Sequence, residues 1–298
     1  MKTKGIILAG GLGTRLYPAT SVASKQLQAV YDKPMIYYPL ATLMLGGITD
    51  ILIITTGLDL YNFERILGNG RQWGINISYK IQEEPKGLAD AFLVGKNFIN
   101  NNQVCLILGD NLFHGKLNFF RDAIKNNVGG TIFGYEVNDP ERYGVVEFDD
   151  DDNILSIEEK PTKPKSKYAI PGLYIFNSDV VAIAEKINPS SRGELEITDI
   201  QNEYLKNSKL NVVKMGRGIT WLDTGTPESL LEASQFIHLI EKRQNLKIAC
   251  LEEISLNMSY ITKLEYINLL EQMPKSPYKQ YCINVYKNYV SEGIDLFY

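Results

Sequence analysis

The stretch Gly5-Ile6-Ile7-Leu8-Ala9-Gly10-Gly11-Leu12-Gly13-Thr14-Arg15 decides the fold. A short apolar run bounded by glycines reads as a strand buried on both faces. The glycines that follow make a loop whose backbone N–H groups can approach an anion closely. Working outward, residues 50–56 and 103–108 repeat the buried-strand pattern, and residues 75–81 alternate apolar and polar side chains. Helical patterns fall between these runs, at 34–45, 58–67, 88–98 and 119–126. Strands separated by helices predict an α/β fold, a mostly parallel sheet with helices on both faces. In such a sheet, ligands lie at the carboxyl ends of the strands.

The second half predicts strands at 130–137, 144–148, 154–158 and 172–176, with Ser178 capping a helix over 179–187. From Thr226 the pattern is helical: 227–243, 261–272 and 281–290, with Pro274 and Pro277 separating the last two. No repeat and no linker divides the chain. Residues 1–240 are expected to form an α/β core and 241–298 a helical extension of the same compact domain. The extension and the apolar stretch 230–240 suit either assembly or packing on the chain's own core.

Composition excludes several chemistries. Two histidines and three widely spaced cysteines in 298 residues cannot make a His₃ or Cys₂His₂ zinc site, offer no CxxC pair and argue against a secreted disulfide framework. No GxSxG elbow surrounds a serine, so a histidine-driven nucleophile is not expected. A net charge of −4 argues against nucleic acid as a partner. No apolar run approaches the roughly 18 residues of a membrane span, and Ile6 to Ala9 is too short for a signal-peptide core. The expectation is a soluble, cytoplasmic protein.

The glycine loop is neither of two familiar phosphate motifs. GxGxxG fails at Leu16, and neither Gly95-Lys96-Asn97 nor Gly115-Lys116-Leu117 completes a P-loop. Gly10, Gly11, Gly13 and Thr14 can still cradle phosphates, with Arg15 adding a bidentate fork and Lys25 a point charge. Taken singly, each residue also fits a plainer role: a tight turn for the glycines, a solvated surface lysine, capping or turn duty for an aspartate.

The order of motifs carries more. The loop continues as Leu16-Tyr17-Pro18 and is followed by Lys25-Gln26-Leu27, Asp32-Lys33-Pro34-Met35, Leu108-Gly109-Asp110-Asn111 and Tyr143-Gly144-Val145-Val146-Glu147-Phe148. Glu158-Glu159-Lys160-Pro161, Arg192-Gly193-Glu194-Leu195-Glu196 and Trp221-Leu222-Asp223-Thr224-Gly225 complete it. Over nearly its whole length the chain resembles the sugar-phosphate nucleotidylyltransferases, and within them the branch that uses dTTP and glucose 1-phosphate.

That resemblance implies a Rossmann-like, mostly parallel mixed sheet of the nucleotide-diphospho-sugar transferase type. It implies Mg²⁺-assisted attack of a sugar 1-phosphate on a nucleoside triphosphate, with release of pyrophosphate. It further implies dTDP-glucose for deoxysugar synthesis as product, and a homotetramer. Arg15 and the glycine loop match the positions that hold the leaving pyrophosphate, Lys25 the lysine at the reacting phosphates, and Lys160 the sugar-phosphate clamp. Asp110 and Asp223 match the metal ligands. Leu8, Gln26, Gln82 and Gly87 fall at nucleotide positions, and Asn111, Tyr143, Gly144, Glu159 and Ile170 at sugar positions. Neither His114 nor His238 falls on a catalytic position.

The chain departs from the family pattern at Gln28-Ala29, at Lys86 and Asp90 beside the base, and at Ile170-Pro171 beside the sugar. These positions bear on base and sugar choice. UTP or an amino-sugar phosphate is the alternative substrate, and a non-catalytic nucleotide-sugar sensor the alternative class.

Overall fold

The computed structural model describes residues 2–11 and 13–292. Leu12 of the glycine loop and the last six positions of the expected extension lie outside the described residues. The strands are β1 (Thr3–Ala9), β2 (Ala29–Val30), β3 (Lys33–Pro34), β4 (Asp50–Thr55), β5 (Asn76–Ile81), β6 (Gln103–Leu108) and β7 (Asn111–His114). They continue as β8 (Gly130–Glu136), β9 (Gly144–Phe148), β10 (Ile154–Glu159), β11 (Tyr168–Ile170), β12 (Leu173–Phe176), β13 (Leu210–Lys214) and β14 (Thr220–Asp223). The helices are α1 (Tyr37–Leu45), α2 (Leu60–Leu67), α3 (Asp90–Val94), α4 (Lys96–Ile99), α5 (Asn118–Asn126), α6 (Val180–Ala184) and α7 (Ile197–Lys206). Four more close the chain: α8 (Pro227–Gln244), α9 (Leu251–Asn257), α10 (Lys263–Gln272) and α11 (Pro277–Glu292).

The central sheet runs β10-β9-β11-β8-β12-β6-β1-β4-β5, with β13 beside β8. Its β6-β1-β4-β5 half is all parallel. The other half is mixed, because β12 enters antiparallel between β6 and β8. The period of two separates the core cleanly. Ile7, Ile51, Ile53, Cys105 and Ile107 face one side, while Ile6, Leu52, Ile54, Val104 and Leu106 face the other. Helices α1 and α9 pack together on the first face, and α3, α6 and α7 on the second. A third apolar cluster lies among α9, α10 and α11.

Several elements differ from their sequence pattern for local reasons. The helix expected from 34 starts at Tyr37, because Lys33–Pro34 first pairs with Ala29–Val30. The helix expected over 88–98 splits at Gly95, where a Cβ would stand 2.9 Å from both the Ala91 carbonyl oxygen and Ile6 Cδ1. Ser178 does not cap α6. That short helix starts after Asp179, whose carboxylate accepts a hydrogen bond from the Tyr204 hydroxyl at 2.5 Å instead of capping. Capping boxes at Thr226 and Thr262 fix the starts of α8 and α10.

Candidate active site

The cleft opens at the carboxyl ends of β1 and β6. Past β1, Gly13 adopts φ 62°, and a Cβ there would stand 2.8 Å from Thr20 Cγ2. Gly11 has no neighbour within 4 Å of its Cβ position, so its backbone faces open space. Thr14 and Arg15 follow on an exposed helical turn. Leu8, buried in β1, gives its carbonyl to the Gly109 N–H at 2.9 Å and so fixes the start of the Asp110 turn. Gln26 is buried behind Gly109, its side-chain oxygen without a hydrogen-bond partner among the described residues.

Asp110 and Asp223 are 113 positions apart in sequence, yet a short ladder brings them together. β7 and β14 pair antiparallel, with Asp223 opposite Asn111. Thr224 then donates to the Asp110 carbonyl twice, from its backbone N–H at 3.1 Å and its hydroxyl at 2.8 Å. Lys25 pairs with Asp110 Oδ2, and Asn111 donates to Asp110 Oδ1 at 3.0 Å. Burial works to raise the Asp110 carboxyl, but the Lys25 ammonium outweighs it and holds the group below the usual carboxylate range. Asp223 is pushed up to about 6, first by burial and then by the facing Asp110 charge. Lys25, Arg15 and Arg142 act against that shift without cancelling it. Two largely buried carboxylates aimed at one place, one raised by burial and by the other's charge, form a donor set that suits a hard divalent cation.

The sugar-side residues gather around a cavity of about 510 Å³. It brings together Arg15, Asp110, Asn111, Glu159, Lys160 and Asp223, and Tyr143, Gly144 and Ile170 also line it. Asn111 Oδ1 accepts from the Gly172 N–H at 2.9 Å and from Trp221 Nε1 at 2.7 Å, which fixes its amide. Tyr143 packs edge-on against Trp221, with ring centroids 4.9 Å apart. Gly144 pairs with Ile170 in the sheet, and a Cβ on it would stand 3.6 Å from Glu159 Oε2. Lys160 adopts φ 42°, a left-handed conformation rare outside glycine, while its N–H bonds the Tyr143 carbonyl at 3.0 Å. Burial raises Glu159 above the usual carboxylate range.

The base-side residues lie along β5 and the loop after it. Gln82 is buried and donates from Nε2 to Asp90 Oδ2 at 2.7 Å, so the departure at position 90 holds the amide directly. Its oxygen faces Gly10, where a Cβ would intrude to 2.9 Å. Gly87 has φ 104°, and a Cβ there would stand 2.5 Å from the Leu195 carbonyl oxygen. The chain's own backbone therefore dictates that glycine. Leu195 N–H bonds the Lys86 carbonyl at 2.7 Å, and Ala89 N–H bonds the Leu195 carbonyl at 3.2 Å.

Three residues join the site that sequence reasoning did not assign to it. Arg192 clamps Glu196 through two hydrogen bonds, at 3.1 and 2.7 Å, and stands 3.5 Å from Glu159. Arg142 reaches Asp223 at 3.7 Å. Gln201 is fully buried at the cavity wall, with neither amide atom bonded within the protein. Arg192 stands inside a motif already quoted and Arg142 directly precedes another; Gln201 lies on α7, half a turn past Ile197-Thr198-Asp199. The histidines lie elsewhere, His114 against Phe236 and His238 against Tyr31.

An α/β sheet with paired carboxylates, a glycine loop and flanking cations at its carboxyl edge defines a nucleotide-handling enzyme. The nucleotidyl transferase family model matches residues 4–239, and the chain belongs to that family. It is 52% identical to the glucose-1-phosphate thymidylyltransferase of Neisseria gonorrhoeae, over 95% of this chain and 99% of that protein. It is 49% identical to the enzyme of the same name from Mycobacterium tuberculosis, over 95% of this chain and 98% of that one. Among solved structures, a UDP-glucose pyrophosphorylase complexed with UDP-glucose aligns with a TM-score of 0.70 and 27% identity, covering 80% of this chain and 99% of that chain.

Proposed function

We propose that the enzyme transfers a thymidylyl group from dTTP to α-D-glucose 1-phosphate, giving dTDP-glucose and pyrophosphate. The observation that carries this is the β7–β14 ladder, which sets Asp110 and Asp223 face to face beside Lys25 and Arg15. The similarity to glucose-1-phosphate thymidylyltransferases supports the choice of substrates.

The sugar phosphate is its own nucleophile: its second pKa is about 6, so it is largely dianionic at neutral pH and needs no protein base. Its oxygen attacks the α-phosphorus as the bond to the β-phosphate oxygen breaks, and pyrophosphate leaves. Asp110 and Asp223 would hold Mg²⁺, which would neutralise the crowded phosphate charge. Arg15 and the backbone of Gly10, Gly11, Gly13 and Thr14 hold the leaving pyrophosphate. Lys25 stands at the reacting phosphates and Lys160 clamps the sugar phosphate, with Glu159 accepting sugar hydroxyls. Gln82, held by Asp90, reads the pyrimidine edge.

A specific observation favours a second reading with UTP: the base contact rests on Asp90, where the family pattern differs, and a structural neighbour holds UDP-glucose. A panel of triphosphates and sugar phosphates scored by pyrophosphate release tests both. Activity confined to dTTP with glucose 1-phosphate supports the first reading, whereas dTTP binding without turnover would leave a nucleotide-sugar sensor. We assign residues 1–240 to the catalytic core and 241–298 to a helical extension used in a homotetramer. On α8, Ala233 and Ile237 are buried in the core while Leu231 and Leu239 stay more than half exposed, a face suited to a second copy. Among the described residues no helix is long and apolar enough to cross a membrane, and the cytoplasm is the proposed location.

A further inference from the structure

The third apolar cluster encloses a group of polar atoms that nucleotidyl transfer does not use. Cys250 and Cys282 are 32 positions apart in sequence, but their sulfurs lie 3.8 Å apart. Glu252 Oε2 lies 3.7 Å from the Cys250 sulfur. One ligand atom from each of the three residues falls within 4.8 Å of the others, and all three residues are buried.

These separations are those of a tetrahedral thiolate centre. With metal–sulfur bonds of about 2.3 Å, two sulfur ligands stand about 3.8 Å apart; with a metal–oxygen bond of about 2.0 Å, the sulfur–oxygen edge is about 3.5 Å. The surroundings hold the carboxylate in place. Trp73 Nε1 donates to Glu252 Oε1 at 3.1 Å, leaving Oε2 turned toward the sulfur. The Tyr278 hydroxyl donates to Glu252 Oε2 at 2.6 Å and lies 3.4 Å from the Cys250 sulfur, so it holds the carboxylate from the other side.

We propose that Cys250, Cys282 and Glu252 bind one thiophilic divalent cation of the zinc class, with Trp73 and Tyr278 holding the carboxylate. Two thiol protons pass to solvent as two metal–sulfur bonds form. The site fastens α11 to the Cys250 turn and, through Trp73, to the α/β core. It is separate from the Asp110–Asp223 pair and takes a softer ion.

The test uses the full chain, stripped with a chelator under reducing conditions and titrated with Co²⁺, then with Zn²⁺. The expected result is a thiolate-to-cobalt charge-transfer band that saturates at one equivalent per chain and is abolished by one equivalent of Zn²⁺. Zinc at a hundred times its dissociation constant should raise Tm by about 5 °C or more. Cys282→Ser should lose both the band and the zinc-dependent rise while keeping pyrophosphate release with Mg²⁺. Should that variant fold poorly, the wild-type cobalt spectrum decides alone, and Tyr278→Phe should retain the band. Cobalt binding without a charge-transfer band, thiols that stay freely reactive at one equivalent of zinc, or equal zinc-dependent rises in wild type and Cys282→Ser would each overturn the proposal.

Discussion

Two buried ion clusters grow from neighbouring stretches of the chain and are built to opposite rules. Around Lys33, charges close on themselves. Lys33 pairs with Asp32 at 2.5 Å and Glu241 at 2.9 Å; Lys247 pairs with Asp32 and, at 2.8 Å, with Glu241, which also accepts the Ile248 N–H at 3.0 Å. Eight residues earlier, Lys25 pairs with Asp110, and the facing Asp223 is left raised to about 6. The first cluster offsets its own desolvation and locks α8 to the turn between β2 and β3. The second is left short of positive charge, which is what a site awaiting a cation and phosphates requires.

Breaking the open cluster should cost activity and spare stability. Asp110→Asn and Asp223→Asn are each expected to lower pyrophosphate release by at least about a thousandfold, with Tm unchanged or raised. Near-normal turnover in either variant would remove the metal assignment. Breaking the closed cluster should do the reverse. Glu241→Ala leaves the buried Lys33 to share Asp32 with Lys247 and is expected to cost about 3 kcal/mol in denaturant unfolding, with kcat per folded molecule retained.

Burial works to raise Asp32, but Lys33 and Lys247 outweigh it and depress the group. A depressed carboxyl stabilises the fold above the ordinary carboxylate pKa, and that contribution is lost as the pH falls. Asp32→Asn should therefore flatten the acid limb of the stability curve below about pH 4. An unchanged limb would mean that the pairing contributes nothing.

Smaller effects sharpen the contrast. Gln201→Leu removes a buried amide with no partner in the protein, so it should raise Tm while raising KM for the sugar phosphate about five- to tenfold. An equal rise in KM for dTTP would take Gln201 out of the sugar pocket. Asp90→Ala releases Gln82, and should lower kcat/KM for dTTP about fivefold and narrow its margin over dCTP. An unchanged margin would show that Gln82 needs no anchor. His238→Ala should stay within about twofold of wild type, since a proton carrier would be worth a hundredfold or more.

The sequence pattern reached the parallel half of the sheet almost residue by residue, because Asp50–Thr55 and Gln103–Leu108 are nearly continuous apolar runs whose partners do not alter their conformation. It missed α7, whose buried face carries Thr198 and Gln201 among Ile197, Ile200 and Tyr204 and so blurs the helical period. Motif order singled out Asp110 and Asp223. Their approach depends on a ladder formed across more than a hundred positions, and local chemistry does not encode it. The cysteines show the same limit: their spacing offered no CxxC pair, and the packing of α9 against α11 sets the sulfurs of Cys250 and Cys282 3.8 Å apart. Gln201 was hidden because a buried glutamine reveals itself only by the partners it lacks.

The close passage of Gly87 against Leu195 has a consequence for engineering. Lys86 and Ala89 are joined to Leu195 by backbone hydrogen bonds, and no side chain fits between the two strands of chain at Gly87. The loops proposed to read base and sugar therefore form one interchangeable cassette rather than two. A graft that replaces 83–90 from a relative with different nucleotide preference must bring 190–196 with it.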